Sequence, residues 1–183
     1  VLHEAFFLSD RKILNVFLVG TGLIGKSLLS MIDKQFQQLA AQNHLEVNVV
    51  GVANSKKMFF NANGLSLQHA VEQMKESDEA MSMNDFFGNM IGLNLSNSIF
   101  VDCTSSEEVA EYYNSILSSN ISIVTPNKKA NSGPLERYQK LKSISLKRGV
   151  KFLYETNVGA GLPVINTMND LLLSGDSVVR IEA

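Results

Sequence analysis

Three glycines near the start of the chain have the spacing of a phosphate-binding turn. Gly20, Gly22 and Gly25 follow the apolar run Val16–Val19, and helix-forming residues come after them. In such a strand–turn–helix unit, the first glycine allows the tight turn and the second lets the backbone approach a pyrophosphate. The third lets the helix pack closely on the strand, and the helix N-terminus attracts the phosphates. The spacing predicts dinucleotide binding, against the alternative of an ordinary glycine turn.

The end of the next apolar run bears on which dinucleotide is bound. VNVVGVA predicts a second strand that ends at Ala53, and it is followed by Asn54, Ser55, Lys56 and Lys57. A site that prefers NAD usually has an acidic residue there, which binds the ribose 2′-hydroxyl. Because this stretch has no acid and its two lysines would attract a 2′-phosphate, we expect NADP to be preferred over NAD. The alternative is that both lysines are solvated loop charges.

Small hydroxyl residues follow a later buried run. Thr104 and Ser105 come after Ile99–Cys103 and precede a predicted helix. Doubly wound sheets bind ligands at strand ends of this kind, so Thr104 is a candidate cofactor contact. The alternative is that Ser105 or Ser106 caps the helix. Cys103 ends an apolar strand, which favours a buried small residue over a nucleophile.

These candidate residues need a sheet to position them. Apolar runs predict strands at 13–19, 47–53, 99–103, 121–124, 151–154 and 178–181. Helices are predicted at 23–39, 68–75, 83–90, from 107, at 133–148 and from 163. Strands that alternate with helices and glycine turns predict an α/β fold with a doubly wound, Rossmann-type, mostly parallel sheet.

Composition limits the possible partners and location. Of the 183 residues, 45% are hydrophobic and 19% are charged, as in ordinary soluble domains. A net charge of −2 gives no basic surface for nucleic acid, and no apolar run reaches the ~18 residues that span a membrane. The first residues do not have the pattern of a signal peptide, and the single cysteine fits a reducing compartment. We therefore expect a cytoplasmic protein. The apolar residues Phe6–Leu8, near the start of the chain, are expected to cover a sheet edge or to pack on a preceding domain.

Five motifs in order carry a resemblance to a known family: VFLVGTGLIGKSLL, VVGVANSKK, VDCTSS, IVTPNKKANSGP and FLYETNVGAGLPVINTMNDLLLSGD. From Ile13 to its end the chain resembles homoserine dehydrogenase, especially the dehydrogenase portion of bifunctional aspartokinase–homoserine dehydrogenase. Members of this family reduce aspartate 4-semialdehyde to homoserine with NADPH or NADH, on the route to threonine and methionine. The resemblance thus implies an NAD(P)-dependent oxidoreductase with a small-molecule substrate.

The resemblance also implies roles for individual residues. Together with the residues argued above, the expected cofactor-binding set is Gly20, Gly22, Leu23, Ile24, Gly25, Ala53, Asn54, Lys56, Lys57, Thr104, Ser105, Asn127 and Lys128. Asn127 and Lys128 are expected near the nicotinamide and the substrate. We expect Lys128 to act in catalysis, because an ammonium beside a carbonyl can bind it or assist proton transfer. The alternative is a surface lysine in a loop.

A monovalent cation such as Na⁺ is a further expectation from the resemblance. Glu155, Val158, Ala160 and Leu162 match the family's cation site, in which one carboxylate joins backbone carbonyl groups. Oxygen ligands suit a hard cation. Without the resemblance this stretch is only a glycine-rich turn from strand to helix, and Glu155 could equally orient the substrate or cap the helix that follows.

The expected organisation is a lead-in segment at 1–12, an NAD(P)-binding domain at 13–155, and the start of a second α+β domain for substrate binding and dimerisation at 156–183. In the family, the main acid/base lysine and the substrate-binding carboxylates come later than Ala183. We therefore expect this chain to bind cofactor with little turnover, and the full-length protein to be a homo-oligomer.

The alternative functions are a non-catalytic dinucleotide-binding or assembly domain, or another Rossmann-type dehydrogenase of the aspartate-semialdehyde or inositol type. An aspartate-semialdehyde dehydrogenase needs a nucleophilic cysteine, for which Cys103 is a poor candidate.

Overall fold

Five of the six predicted strands form in the computed structural model, which describes residues 12–182, and a further short strand lies at Met58–Phe60. The strands are β1 Lys12–Val19, β2 Leu45–Ala53, β3 Met58–Phe60, β4 Ser98–Asp102, β5 Ser122–Val124 and β6 Phe152–Leu153. They form one sheet in the order β3-β2-β1-β4-β5-β6. Only β3 runs antiparallel to its neighbour, and all the other pairs are parallel. The predicted doubly wound, mostly parallel sheet is confirmed.

Seven helices lie between and after these strands within the described residues. They are α1 Leu23–Gln42, α2 Ala70–Glu76, α3 Met83–Gly92, α4 Glu107–Glu111, α5 Tyr113–Ser118, α6 Leu135–Arg148 and α7 Val164–Leu173. A 3₁₀ turn covers Glu155–Asn157. The single helix that was predicted from residue 107 is divided at Tyr112 into α4 and α5.

Alternation along the strands gives the sheet two apolar faces. Phe17 and Leu18 are adjacent in β1 and fully buried, and they belong to different hydrophobic clusters. Phe17 lies in the cluster that includes residues of α3 to α6, whereas Leu18 lies in the cluster that includes residues of α1 and α2. Successive side chains of a strand point to opposite faces, so helices on both sides are needed to bury them.

The ends of β1, β2 and β4 are held together at one edge of the sheet. Val19 pairs with Ala53 on one side and with Asp102 on the other. The Gly20 N–H donates to the Ala53 carbonyl at 2.8 Å, and the Cys103 N–H donates to the Val19 carbonyl at 2.8 Å. Because β2 and β4 lie on opposite sides of β1, this edge is the topological switch point of the sheet, where such folds bind ligands.

The predicted strand at Val178–Ile181 is wrong. These residues have no regular secondary structure, and Val179 and Ile181 are 94% and 69% exposed. A strand needs a neighbour to accept its backbone hydrogen bonds, and none lies beside this segment in the described part of the chain. The prediction for Phe6–Leu8 falls outside the described residues. Between 12 and 182, no helix is both long and apolar enough to cross a membrane.

Candidate dinucleotide-binding site

The three glycines of the turn after β1 have different steric surroundings. Gly20 has a φ of +98°, and a Cβ on it would lie 2.7 Å from the backbone carbon of Cys103. A Cβ on Gly25 would lie 2.1 Å from the Gly20 carbonyl oxygen, so α1 can approach β1 only without a side chain there. A Cβ on Gly22 would meet nothing within 4 Å. Gly20 and Gly25 are therefore needed by the fold, whereas Gly22 leaves open space above the turn.

The N-terminus of α1 offers free hydrogen-bond donors beside that space. No side chain caps it, and its first turn contains no acidic residue. Leu23 and Ile24 are 85% and 53% exposed, and the Lys26 N–H donates to the Gly22 carbonyl at 3.0 Å. Uncapped backbone N–H groups and the positive end of the helix dipole together attract an anion such as a pyrophosphate.

The loop after β2 separates the two lysines of the predicted 2′-phosphate site. Asn54 Oδ1 accepts from the backbone N–H groups of Lys56 and Lys57, at 2.7 and 2.8 Å. Lys57 Nζ donates to the carbonyls of Lys75 and Ser77 at 2.9 and 2.6 Å, at the end of α2. Lys57 is thus neither a solvated loop charge nor a free ammonium, while Lys56 is exposed.

A buried carboxylate joins the loops after β4 and β5. Asp102 is fully buried, and its Oδ1 accepts from the Thr104 N–H at 2.7 Å. Its Oδ2 lies 2.6 Å from the Tyr113 hydroxyl and accepts from Asn127 Nδ2 at 2.8 Å. Burial, and then the charge of Asp102, raise the pKa of Tyr113. Sequence reasoning did not identify Asp102 or Tyr113, although an acid that ends an apolar strand was a visible signal.

The residues predicted near the nicotinamide differ in exposure. Asn127 is 2% exposed, and its Nδ2 also donates to the Ser106 carbonyl at 2.9 Å. Lys128 is exposed in the same loop. Thr104 is half-buried, and Ser105 is exposed beside it. Ser106 caps α4, because its Oγ accepts from the Val109 N–H at 3.4 Å.

Cys103 is partly buried and electrostatically disfavoured as a thiolate. Burial, and then the charge of Asp102, raise the pKa of the thiol to about 11. A nucleophilic cysteine usually has a lowered pKa and an electropositive environment. This environment argues against a dehydrogenase that uses Cys103 as its nucleophile.

Glu155 caps α7 in the predicted cation site. Its Oε1 accepts from the Ile165 N–H at 2.8 Å, and its Oε2 accepts from the Asn166 N–H at 2.9 Å. The Leu162 carbonyl accepts from the Val164 N–H at 2.9 Å. Two of the four predicted ligand groups are therefore already hydrogen-bonded. Between 12 and 182, no group of three or more His, Cys, Asp and Glu side chains is arranged to hold a metal ion.

A groove of about 850 Å³ lies beside the carboxyl ends of β4 and β5. Ile24 and Leu28 of α1 line one part of it, and Leu146, Tyr154 and Ile165 line another. The Tyr154 hydroxyl lies 2.7 Å from that of Tyr138, and burial raises the pKa of Tyr154. The exposed N-terminal turn of α1 thus adjoins an apolar groove.

Comparison with known proteins agrees with this geometry. Residues 20–155 match the family model described as the homoserine dehydrogenase NAD-binding domain. The chain belongs to the homoserine dehydrogenase family. The matched residues include the glycine turn and the loops after β2, β4 and β5. The family resemblance read from the sequence motifs is confirmed, and it decides against the aspartate-semialdehyde and inositol-type alternatives.

Individual homoserine dehydrogenases are similar over nearly the whole chain. Bifunctional aspartokinase/homoserine dehydrogenase 1, chloroplastic, of Arabidopsis thaliana is 41% identical over 182 residues, which are 99% of this chain and 20% of that protein. Homoserine dehydrogenase of Schizosaccharomyces pombe is 34% identical over 95% of this chain and 46% of that protein. The chain thus spans about a fifth of the bifunctional relative's length.

Solved structures of the family share the fold. Homoserine dehydrogenase from Thermoplasma acidophilum has a TM-score of 0.68 at 22% identity, over 89% of this chain and 49% of that chain. A hyperthermophilic archaeal homoserine dehydrogenase in complex with NADPH has a TM-score of 0.70 at 22% identity, over 89% of this chain and 50% of that chain.

Proposed function

We propose that this chain is the cofactor-binding part of a homoserine dehydrogenase that reduces L-aspartate 4-semialdehyde to L-homoserine, with NADPH favoured as the cofactor. The observation that carries the proposal is the uncapped N-terminus of α1 at the switch point of the sheet, next to open space above Gly22. The reduced nicotinamide would supply a hydride to the aldehyde carbon. The protein's task is to bind both molecules, orient them and supply a proton to the aldehyde oxygen.

The preference for NADPH is supported by the loop after β2. It has no acid to bind a ribose 2′-hydroxyl, and Asn54 folds the loop so that the exposed Lys56 follows the strand end. A homologous archaeal enzyme has been solved with NADPH. We assign the 2′-phosphate contact to Lys56 rather than to Lys57, because the ammonium of Lys57 is bonded to two carbonyls.

Lys128 is the residue that we propose to act on the substrate. It is exposed beside the buried Asn127, in the loop after β5 and on the ligand-binding side of the sheet. An ammonium there would stabilise the negative charge that develops on the aldehyde oxygen as hydride arrives. Thr104 and Ser105, in the loop after β4, are proposed to border the nucleotide.

The predicted cation site has a competing use. Coordination of Na⁺ by Glu155 would require its carboxylate to bind the ion while both oxygens accept backbone N–H groups of α7. The carbonyls of Val158 and Ala160, together with that of Leu162, would complete the ligand set. The cation stays a prediction, and the structure gives Glu155 a role as a helix cap.

The proposed function is tested by titrating the chain with NADPH and NADH and following nucleotide fluorescence. We expect both to bind, with NADPH tighter. We expect Lys56→Gln to weaken NADPH by about tenfold, because it removes one charge-assisted phosphate contact, and to leave NADH within about twofold. Binding of neither nucleotide would overturn the proposal. Tighter NADH, or equal losses for both nucleotides, would overturn only the assignment of Lys56.

A further inference from the structure

Asp102 is bonded to two loops that are far apart in the sequence. Its Oδ1 holds the Thr104 N–H in the loop after β4, and its Oδ2 holds Asn127 Nδ2 in the loop after β5. Asn127 Nδ2 also donates to the Ser106 carbonyl, so the two loops are joined a second time beside the carboxylate. The proposed function assigns nucleotide contacts to the first loop and nicotinamide and substrate contacts to the second.

The second loop is fixed further by Thr125. Its hydroxyl donates to the Asp102 backbone carbonyl at 3.0 Å and accepts from the Asn127 N–H at 2.9 Å. Asn127 Oδ1 accepts from the Lys129 N–H at 3.1 Å. The backbone on both sides of Lys128 is therefore held by residues that are bonded to Asp102.

A carboxylate at this position is costly unless it has a structural use. The three residues before Asp102 in β4, Ile99, Phe100 and Val101, have apolar side chains, and Asp102 is as fully buried as Phe100. A buried carboxylate is stable only when hydrogen bonds replace its water, and here the Thr104 N–H, the Tyr113 hydroxyl and the Asn127 amide do so. The arrangement orients these donors, which an apolar residue could not do.

We propose that Asp102 is a positioning residue that locks the loops after β4 and β5 into the relative position that the nicotinamide half of the cofactor requires. The proposal rests on the function proposed above. It predicts that loss of Asp102 weakens binding of the nicotinamide half. The adenosine half is expected to bind at the glycine turn and the end of β2, so its binding should not change.

The test variant is Asp102→Asn, which keeps the size of the side chain. In either orientation of the new amide, its NH₂ group faces the donor of one of the two loops, so that loop loses its acceptor. The control is Phe86→Leu in α3, a buried residue whose ring packs against those of Phe60 in β3 and Phe100 in β4. The control shows what general loss of stability does to binding.

The first measurement compares NADPH with 2′,5′-ADP, which represents the adenosine half alone. We expect Asp102→Asn to weaken NADPH by about tenfold and 2′,5′-ADP by no more than about twofold, because one of the two loops loses its hydrogen bond to the carboxylate and only NADPH contacts both loops. Phe86→Leu is expected to leave the ratio of the two affinities unchanged. If Asp102→Asn weakened the affinities for NADPH and 2′,5′-ADP equally, Asp102 would have only a structural role, and the proposal would be overturned.

The second measurement needs no cofactor. Amide hydrogen exchange of the free chain should be faster in Asp102→Asn at Thr104 or at Asn127 and Lys129, and unchanged at these positions in Phe86→Leu. Unchanged exchange in both loops of Asp102→Asn would overturn the proposal. If the unsubstituted chain bound neither NADPH nor 2′,5′-ADP, the proposed function would fail, and the exchange rates would still decide whether Asp102 locks the loops.

Discussion

At the scale of single residues, the glycine turn contains two different kinds of glycine. Gly25 is required by packing, because any Cβ there would overlap the Gly20 carbonyl oxygen. Gly22 lies in an extended conformation with φ −76°, which an L-residue adopts without strain, and it faces open space. Its lack of a side chain has no use within the described fold, and the proposed pyrophosphate gives it one.

Substitution by alanine should separate these two roles. Gly25→Ala should lower the free energy of unfolding by about 1–3 kcal/mol or more, because α1 must move away from β1. Gly22→Ala should change it by less than about 1 kcal/mol, yet weaken NADPH by about tenfold or more, because the methyl group occupies the approach to the turn. Urea unfolding and nucleotide fluorescence measure the two effects. Unchanged NADPH affinity in Gly22→Ala would contradict the assigned position of the pyrophosphate.

At the scale of elements, the loop after β2 is tied to α2 by one side chain. Lys57 Nζ donates to two carbonyls at the end of the helix, where the negative end of the helix dipole also favours a cation. Backbone hydrogen bonds also join this loop to the segment that follows α2. The Met58 N–H donates to the Glu79 carbonyl, and the Met81 N–H donates to the Lys56 carbonyl. These contacts fix the backbone that presents Lys56.

Lys57→Gln should therefore affect stability more than charge recognition. We expect the free energy of unfolding to fall by about 1 kcal/mol, since two charge-assisted hydrogen bonds are lost from a half-exposed position. Exchange of amides in α2 should become faster. The matched comparison is Lys56→Gln, which should leave the unfolding free energy unchanged. A Lys57→Gln protein of normal stability with a selective loss of NADPH affinity would place the 2′-phosphate on Lys57 instead.

At the scale of the whole molecule, one thiol and two tyrosine hydroxyls between residues 12 and 182 resist ionisation in the folded state. Burial is the largest cause for each of them, and it raises the pKa of Cys103 to about 11 from an ordinary value of 9.0. The pKa values of Tyr113 and Tyr154 are also raised, from an ordinary value of 10.0. The folded chain holds these protons more tightly than the unfolded chain.

This difference predicts loss of stability in alkali. Below pH 9 the three groups are protonated in both states, so their contribution to stability is complete. As the pH rises from 9 to 11 the unfolded chain releases protons first, and the free energy of unfolding should fall. Urea unfolding at several pH values measures the fall, which should be smaller in Cys103→Ala. A constant free energy of unfolding up to pH 11 would show that folding does not raise the pKa values of these groups.

The assembly of the protein into a homo-oligomer and its location in the cell are predictions. Leu171, Leu172 and Leu173 of α7 are 48%, 49% and 86% exposed, and Val179 and Ile181 lie near the end of the described chain with most of their surface exposed. Such apolar surface is where we expect the predicted homo-oligomer to form. The cytoplasmic location and the division of the chain near residue 155 also remain predictions.

The sequence by itself determined the alternation of strands and helices along the chain and the position of the glycine turn. Both follow from local signals, because apolar runs with glycines between strand and helix have few other structures available. The five motifs also sufficed to identify the family. Local signals failed at Val178–Ile181, where an apolar run has no neighbouring strand in the described part of the chain.

Only the tertiary structure decided how the polar residues around the site are used. Asp102 and Asn127 are 25 positions apart and meet only because β4 and β5 are neighbours. Lys57 and Glu155 are bonded to helices that begin 13 and 9 residues later in the chain, respectively. Hydrogen bonds between distant segments depend on the packing of the sheet and its helices, so the sequence offered the helix cap of Glu155 only as one of several roles.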